Sequence, residues 1–473
     1  MDQLIVMKFG GTSVEDATAF ARVADIVEAA RAARPVVVVS AMSRVTDALL
    51  QSFNLAADGD LDGARAAIEP HLDRHLAVAQ ALLPQESRES FREDLEKARA
   101  EMNRLMVRAA ARELAFPVLQ DEFVAYGERL SSRLLADVLA ARGLPAVHAD
   151  ARRCIVTDES HGSAVPLLAE TRARTQAELG PLVKGGQLPV LGGFIAASAA
   201  GRTTTLGRGG SDYSAAIIGA ALDAREIQIW TDVTGVMTAD PRLVPNARTI
   251  RRLSYAEAAE LAYFGAKVLH PKTIEPAVER AIPVRVCNSR RPQEEGTLIC
   301  AETEASAQRI KAIAHKTGIT VVQITSARML GAYGFLRALF EVFDRHRTVV
   351  DVVATSEVSV SLTLDDARSL HPIVRELTSL GTVRVEPERA IICVVGEGLR
   401  TTPGIAARVF GELQDINISL ISQGASSINL TFVIDQARVG EAVARLHRAI
   451  FEEQQATAAP RTPDAFDQTE RRK

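Results

Sequence analysis

Up to about residue 300 the chain alternates between short apolar runs and longer stretches in which apolar residues recur every three or four positions. The runs at 4–7, 35–39, 146–149, 188–194 and 226–231 have the length and β-branched content of strands, and the unbroken Pro35-Val36-Val37-Val38-Val39 predicts one buried on both faces. Stretches 17–33, 131–142 and 164–184 carry helical spacing, and 61–113, rich in Glu, Arg, Ala and Leu, predicts two or three amphipathic helices with a solvated charged face. Another helix is expected to open at Gln120-Asp121-Glu122, where acids complement the positive end of a helix dipole. Strand and helix alternate, so this part predicts an α/β layer fold around a mostly parallel sheet.

Beyond Gly296-Thr297-Leu298 the pattern changes to two copies of one motif. With Gly334 set on Gly404, Phe340 falls on Phe410, Ser356 on Ser426, Val358 on Ile428, Val360 on Leu430, Leu362 on Phe432 and Asp365 on Asp435. Strict alternation over 358–364, with helical spacing on either side, predicts a ferredoxin-like βαββαβ unit in each copy. Residues 454–473 are polar and proline-containing, and are expected to form a disordered tail.

Two glycine-bearing segments hold the candidate chemistry. Gly201 to Ala216 reads GRTTTLGRGGSDYSAA and runs into an alanine-rich helical stretch, so Gly207, Gly209 and Gly210 let backbone amides at a helix start approach an anion. A plainer reading makes Ser211 or Asp212 an ordinary N-cap. Lys8-Phe9-Gly10-Gly11-Thr12-Ser13 likewise follows a strand and precedes a helix, and Ser40 sits at the carboxyl end of another strand, where open parallel sheets gather their functional groups. Two such loops point to a nucleotide. Neither GxxxxGK[ST] nor a GxGxxG after a strand is present, so P-loop and dinucleotide-binding readings lose their support.

Composition narrows the classes. The 473 residues allow two or three domains, and a net charge of -4 with interspersed signs gives no field for nucleic acid. Cys154, Cys287, Cys300 and Cys393 have no metal-ligand spacing and read as reduced core thiols. No apolar run reaches the roughly 18 residues of a membrane span, and no signal-peptide pattern opens the chain; a cytoplasmic protein without membrane partners is expected.

KFGGTSV at 8–14, GRTTTLGRGGSDYSAA at 201–216, WTDVTGVMTADPR at 230–242 and FGAKVLHP at 264–271 resemble, in this order, the signature segments of aspartate kinases, within the amino acid kinase family. The resemblance spans about residues 1–453 and is nearest to the monofunctional, lysine-sensitive kind. It implies a three-layer amino acid kinase sandwich over 1–300, then two ACT domains at 308–387 and 388–453, the second taking its first strand from 309–316. It implies Mg²⁺-ATP-dependent phosphorylation of L-aspartate on its β-carboxylate. No protein side-chain set for a metal is expected. Lys8 is then the catalytic cation and Asp212 the acid that orients it; Thr46, Glu122, Arg208 and Ser211 bind substrate. Lys8, Gly10, Gly11, Ser13, Ser40, Thr231, Asp232, Arg242, Lys267 and Val268 bind ATP. Phe194 either walls the pocket or belongs to the core.

The resemblance further implies an allosteric amino acid, L-lysine, held by Met329, Phe335, Leu336, Val350, Asp351, Ser356 and Glu357, and a homodimer or tetramer formed through the ACT domains. The chain departs from the family at Met237, where relatives often carry tyrosine, and at Gly331-Ala332-Tyr333, where lysine-sensitive relatives carry polar residues. Rival readings are a kinase of the same family for another carboxylate, a carbamate or a nucleotide, and an amino acid sensor with an impaired kinase domain.

Overall fold

The computed structural model describes residues 4–265, 271–301, 309–331 and 333–453. The expected tail, together with Lys267, Val268, His270 and Ala332, lies outside them. The chain forms two compact units, one of residues 1–236 with 249–306 and one of 237–248 with 307–473. Residues 237–248, expected inside the catalytic part, therefore pack with the second unit.

In the first unit, strands β1 (Ile5–Phe9), β2 (Pro35–Val39), β3 (Ala146–Ala149), β4 (Val156–Thr157), β5 (Leu188–Gly192), β6 (Ile195–Ser198), β7 (Thr203–Thr205), β8 (Glu226–Thr231), β9 (Arg252–Ser254), β10 (Val284–Asn288) and β11 (Thr297–Cys300) build two sheets. The larger has the order β3-β5-β2-β1-β8-β10-β11-β9 and is parallel except where β10 meets β11. All five residues of β1, and all five of β2, are buried, as unbroken apolar runs at the centre of a parallel sheet require. A small sheet, β4-β6-β7, leads into the second glycine loop.

The charged stretch after residue 60 forms two long helices, Leu61–Leu82 and Gln85–Ala110. Their apolar stripes, including Ile68, Leu72, Phe91, Leu95, Met102 and Leu105, join one cluster with Phe9, Phe20, Phe53 and Phe123. Each such side chain, fully buried, contributes about 1.5–3 kcal/mol. The helix expected to open at residue 120 is in fact two. Phe116–Val124 has no acid in its first turn, and Tyr126–Ala141 follows at once, so Glu122 does not complement a helix start.

The second unit contains β12 (Ile310–Thr325), β13 (Val353–Thr355), β14 (Ser359–Leu364), β15 (Thr382–Gly396), β16 (Ile418–Gln423) and β17 (Asn429–Asp435), in one sheet of order β13-β14-β12-β15-β17-β16. The two sequence copies survive as matching halves. Gly334 and Gly404 adopt the same left-handed conformation before helices Phe335–Arg345 and Ile405–Gly411, and Val360, Leu362, Leu430 and Phe432 are all fully buried. The halves share β12 and β15, which pair along nearly their whole lengths across register shifts at residues 316–321. Residues 310–316 lie against the carboxyl end of β15, in the second half, and 320–325 against β14 in the first.

Candidate active site

The first glycine loop follows β1 at the centre of the larger sheet and the second follows β7 of the small one, and both line a cleft of about 820 Å³. Lys8, next to last in β1, is 8% exposed, and its Nζ lies 2.6 Å from Oδ1 of Asp212. Asp212 sits in the first turn of helix Gly210–Ala221, where the helix dipole adds to the lysine in holding a negative charge. The N-cap is Gly209, left-handed with φ 73°, and no side chain caps the helix. The plainer reading of Ser211 or Asp212 as a cap is thereby corrected; both stand inside the first turn, on the cleft.

The first glycine loop is laced to its neighbours by backbone bonds from Gly10 N to the Trp230 carbonyl (3.0 Å) and from Ser43 N to the Gly11 carbonyl (3.1 Å). A Cβ on Gly11 would stand 2.9 Å from the Ala41 carbonyl oxygen, so only glycine permits this approach. Gly10, Gly11, Ser40, Thr46, Arg208, Ser211, Thr231 and Asp232 all line the cleft, as expected. Phe194 lines it too, with φ 64°, a strained conformation for a bulky residue, held by a bond from its N–H to Ser214 Oγ (2.9 Å).

Two expected ligands of this unit, Ser13 and Glu122, do not line the cleft, and a third, Arg242, belongs to the other unit. Ser13 is fully buried and donates to Ser289 Oγ at 2.8 Å, so it ties the loop to the segment after β10; Thr12 faces the cleft instead. Arg242 belongs to the second unit, where Asp240 grips its guanidinium at 2.7–3.2 Å in a short turn. Glu122 is half-buried and not on the cleft.

The acid of this segment that lines the cleft is Glu128, in the first turn of helix Tyr126–Ala141 and 3% exposed. Its Oε1 accepts from Ala41 N at 3.1 Å, while its Oε2 has no partner among the described residues. Burial pushes the carboxyl up to about 8, against the opposing pull of the Ala41 bond and of Lys8. Of the two acids in this segment, the structure brings Glu128, and not the expected Glu122, to the cleft. The signal available was Gly127 immediately before Glu128, whose Cβ would stand 2.9 Å from the Ala41 Cβ; Gly192, whose Cβ would stand 2.9 Å from the Glu128 Cβ, completes the close approach. Also missed was Arg44, on the cleft rim in a left-handed conformation at φ 67° before helix Val45–Ala57.

In the second unit, Met329, Phe335 and Val350 pack against one apolar cluster, whereas Leu336, Ser356 and Glu357 are exposed. The Asp351 side chain is 2% exposed and lies 3.5 Å from Lys316 Nζ, which also pairs with Asp365 at 2.8 Å. All four cysteines are free thiols, and burial pushes Cys154 and Cys287 up to about 12. Among the described residues no three His, Cys, Asp or Glu side chains cluster as a metal site, and no helix is long and apolar enough to cross a membrane.

The sequence signature of the amino acid kinase family matches residues 3–288, and that of an ACT domain residues 392–450. Lysine-sensitive aspartokinase 3 of Escherichia coli (strain K12) is 39% identical over 462 residues, 96% of this chain and 100% of its own. The chain belongs to the aspartokinase family. Within it, the chloroplastic aspartokinase 3 of Arabidopsis thaliana is 37% identical over 481 residues, 98% of this chain and 84% of its own. Two crystal structures of E. coli aspartokinase III, one with aspartate and ADP and one with lysine and aspartate, each match at a TM-score of 0.80 and 38% identity, covering 95% of this chain and 100% of theirs. The aspartokinase fold accounts for both units: an amino acid kinase sandwich followed by ACT domains.

Proposed function

We infer that this aspartokinase transfers the γ-phosphoryl group of ATP to the β-carboxylate of L-aspartate, giving 4-phospho-L-aspartate, the first step toward lysine, threonine and methionine. The observation that carries the reading is one cleft holding the Lys8–Asp212 pair between two glycine loops together with a buried Glu128 that keeps one oxygen free. A free buried carboxylate oxygen suits the α-ammonium of an amino acid, and the planar fork of Arg208 suits its α-carboxylate. Thr46 and Ser211 complete the substrate end.

The β-carboxylate ionises near pH 4, so the nucleophile needs no general base at neutral pH. What it needs is neutralisation as two anions meet. Lys8, fixed by β1 and by Asp212, supplies charge where it builds on the transferring group, and the amides of Gly10 and Gly11 hold the phosphates. Thr231 and Asp232 serve the nucleoside end, to which Lys267 and Val268 are assigned by resemblance. Among the described residues no cluster of three acids, histidines or cysteines would hold a Mg²⁺, which fits an ion that would arrive on the nucleotide phosphates. When bound, it neutralises phosphate charge. Trapping with hydroxylamine tests the reaction: hydroxamate is expected only with aspartate, ATP and Mg²⁺ together, and its absence would favour an amino acid sensor with an impaired kinase.

L-lysine is the proposed feedback inhibitor, with its ammonium groups on Asp351 and Glu357, acting only by as much as it prefers one state of the enzyme over the other. Lys316 already places an ammonium beside Asp351. Lys316→Met is therefore expected to lower the lysine concentration for half-inhibition several-fold; an unchanged or raised value in the same assay would remove Asp351 from the effector site. Exposed Leu330, Tyr333, Leu336 and Val349 on the first half of the second unit suit a homodimer or tetramer through the ACT domains, in a cytoplasmic enzyme.

A further inference from the structure

Of the carboxylates that line the catalytic cleft, Glu128 and Asp121 are fully buried, and their hydrogen bonds separate their roles. Glu128 keeps an oxygen free. Asp121, 1% exposed, has none left. Its Oδ1 accepts from Thr205 Oγ1 (2.6 Å) and Gly162 N (3.2 Å), and its Oδ2 from His161 Nδ1 (2.8 Å), Gly162 N (3.0 Å) and Thr205 N (3.3 Å). An acid so saturated cannot take a substrate ammonium without giving up hydrogen bonds that offset its burial.

The donors come from two separate segments and the acceptor from a third. Asp121 belongs to helix Phe116–Val124, Thr205 ends β7, and His161 and Gly162 belong to the loop 158–165. That loop is closed on itself by Asp158, which accepts from Ser160 N and Val165 N, and it is bound to β7 by Ala164 N donating to the Thr205 carbonyl at 2.8 Å. It also reaches the glycine loop: a Cβ on Gly207 would stand 3.4 Å from the Gly162 carbonyl oxygen and from Ser163. Arg208 is the next residue, and Asp121, Gly162, Thr205, Gly207 and Arg208 all line the cleft.

We propose that Asp121 is a positioning residue for substrate recognition, clamping β7 and the 158–165 loop so that Arg208 meets the amino acid carboxylate; this rests on Arg208 being the carboxylate ligand. The clamp lies at the substrate end of the cleft, so loosening it acts on aspartate and spares ATP. Thr205→Val keeps the β-branched shape and removes one donor to Asp121. It is expected to raise KM for aspartate roughly 10-fold, with KM for ATP within about twofold, as displacement of a binding group by a fraction of an ångström does. Thr205→Ser, which keeps the hydroxyl, is expected to restore the native KM, and Asp121→Asn to show a larger shift with the same split. Melting curves separate misfolded variants from these. Equal rises in both KM values, no rise, or failure of Thr205→Ser to restore binding overturns the proposal. Arg208→Gln is measured alongside: an unchanged KM for aspartate there overturns the underlying reading of Arg208 and the clamp with it.

Discussion

Lys8→Met is expected to lower kcat at least 10²- to 10³-fold, the cost of removing one charge-stabilising donor from a transition state, while KM for either substrate changes far less. The side chain springs from the centre of a sheet, with β2 on one side and β8 on the other, so its position is set by the strand ladder and not by a loop. Methionine preserves length and apolar packing, which confines the loss to charge. Asp212 then faces the cleft without its lysine, so some thermal stability is lost as well. Asp212→Asn is the weaker partner variant, because the cation remains and only its orientation loosens. Hydroxamate formation at saturating aspartate and ATP measures both, and a Lys8→Met enzyme within 10-fold of native kcat would remove Lys8 from the chemistry.

Glu128→Gln carries the second large effect, and it has opposite signs for binding and for stability. In the free enzyme the carboxyl titrates at about 8, so at neutral pH it is mostly protonated, and pairing with a substrate ammonium must ionise it. KM for aspartate is therefore expected to fall as pH rises from 6 to 8, with a proton released on binding that calorimetry in two buffers detects. The glutamine variant should raise KM for aspartate roughly 10- to 100-fold, the worth of a charged hydrogen bond, and flatten this pH dependence. For folding, a carboxyl raised above its unfolded value contributes stability that is fully present below about pH 4.5 and is lost as pH climbs through 8. Glu128→Gln lacks that loss, so it should melt above the native enzyme at pH 9 and near it at pH 5. A native pH profile that persists in the variant would reassign the titration to another group.

Local signals carried much of the fold. The strands at 35–39, 146–149 and 226–231 fall where apolar runs place them: the first is buried throughout, while the edge strand at 146–149 is half-buried and 226–231 only partly buried, so run length and β-branched content served where full burial did not. Helix ends were less legible. The break between Val124 and Tyr126 is followed by the close approach of Gly127 to Ala41 and Leu49, a long-range contact that no local pattern records. The same limit applies to the site. Lys8, Gly10, Gly11, Arg208 and Asp212 were legible because motif and strand end coincide. Glu128 was not, since choosing between two acids six residues apart depends on which face of a helix meets the β2 loop. Ser13 turned inward for a related reason: a polar residue beside a binding loop is as well suited to anchoring it as to facing the ligand. Asp121 had no sequence signal, because its donors lie about 40 and 84 positions away.

The strands common to both halves of the second unit bear on how such a sensor can change over time. Since β12 contributes its opening residues to one half and its closing residues to the other, and β15 does the same in reverse, neither half owns a complete set of strands. A recombination event that exchanged one copy would leave the remaining copy with a gap in its sheet. New effector preferences must then arise by substitution within existing loops, Gly331 and its neighbours among them, or by inheritance of the pair as one indivisible cassette.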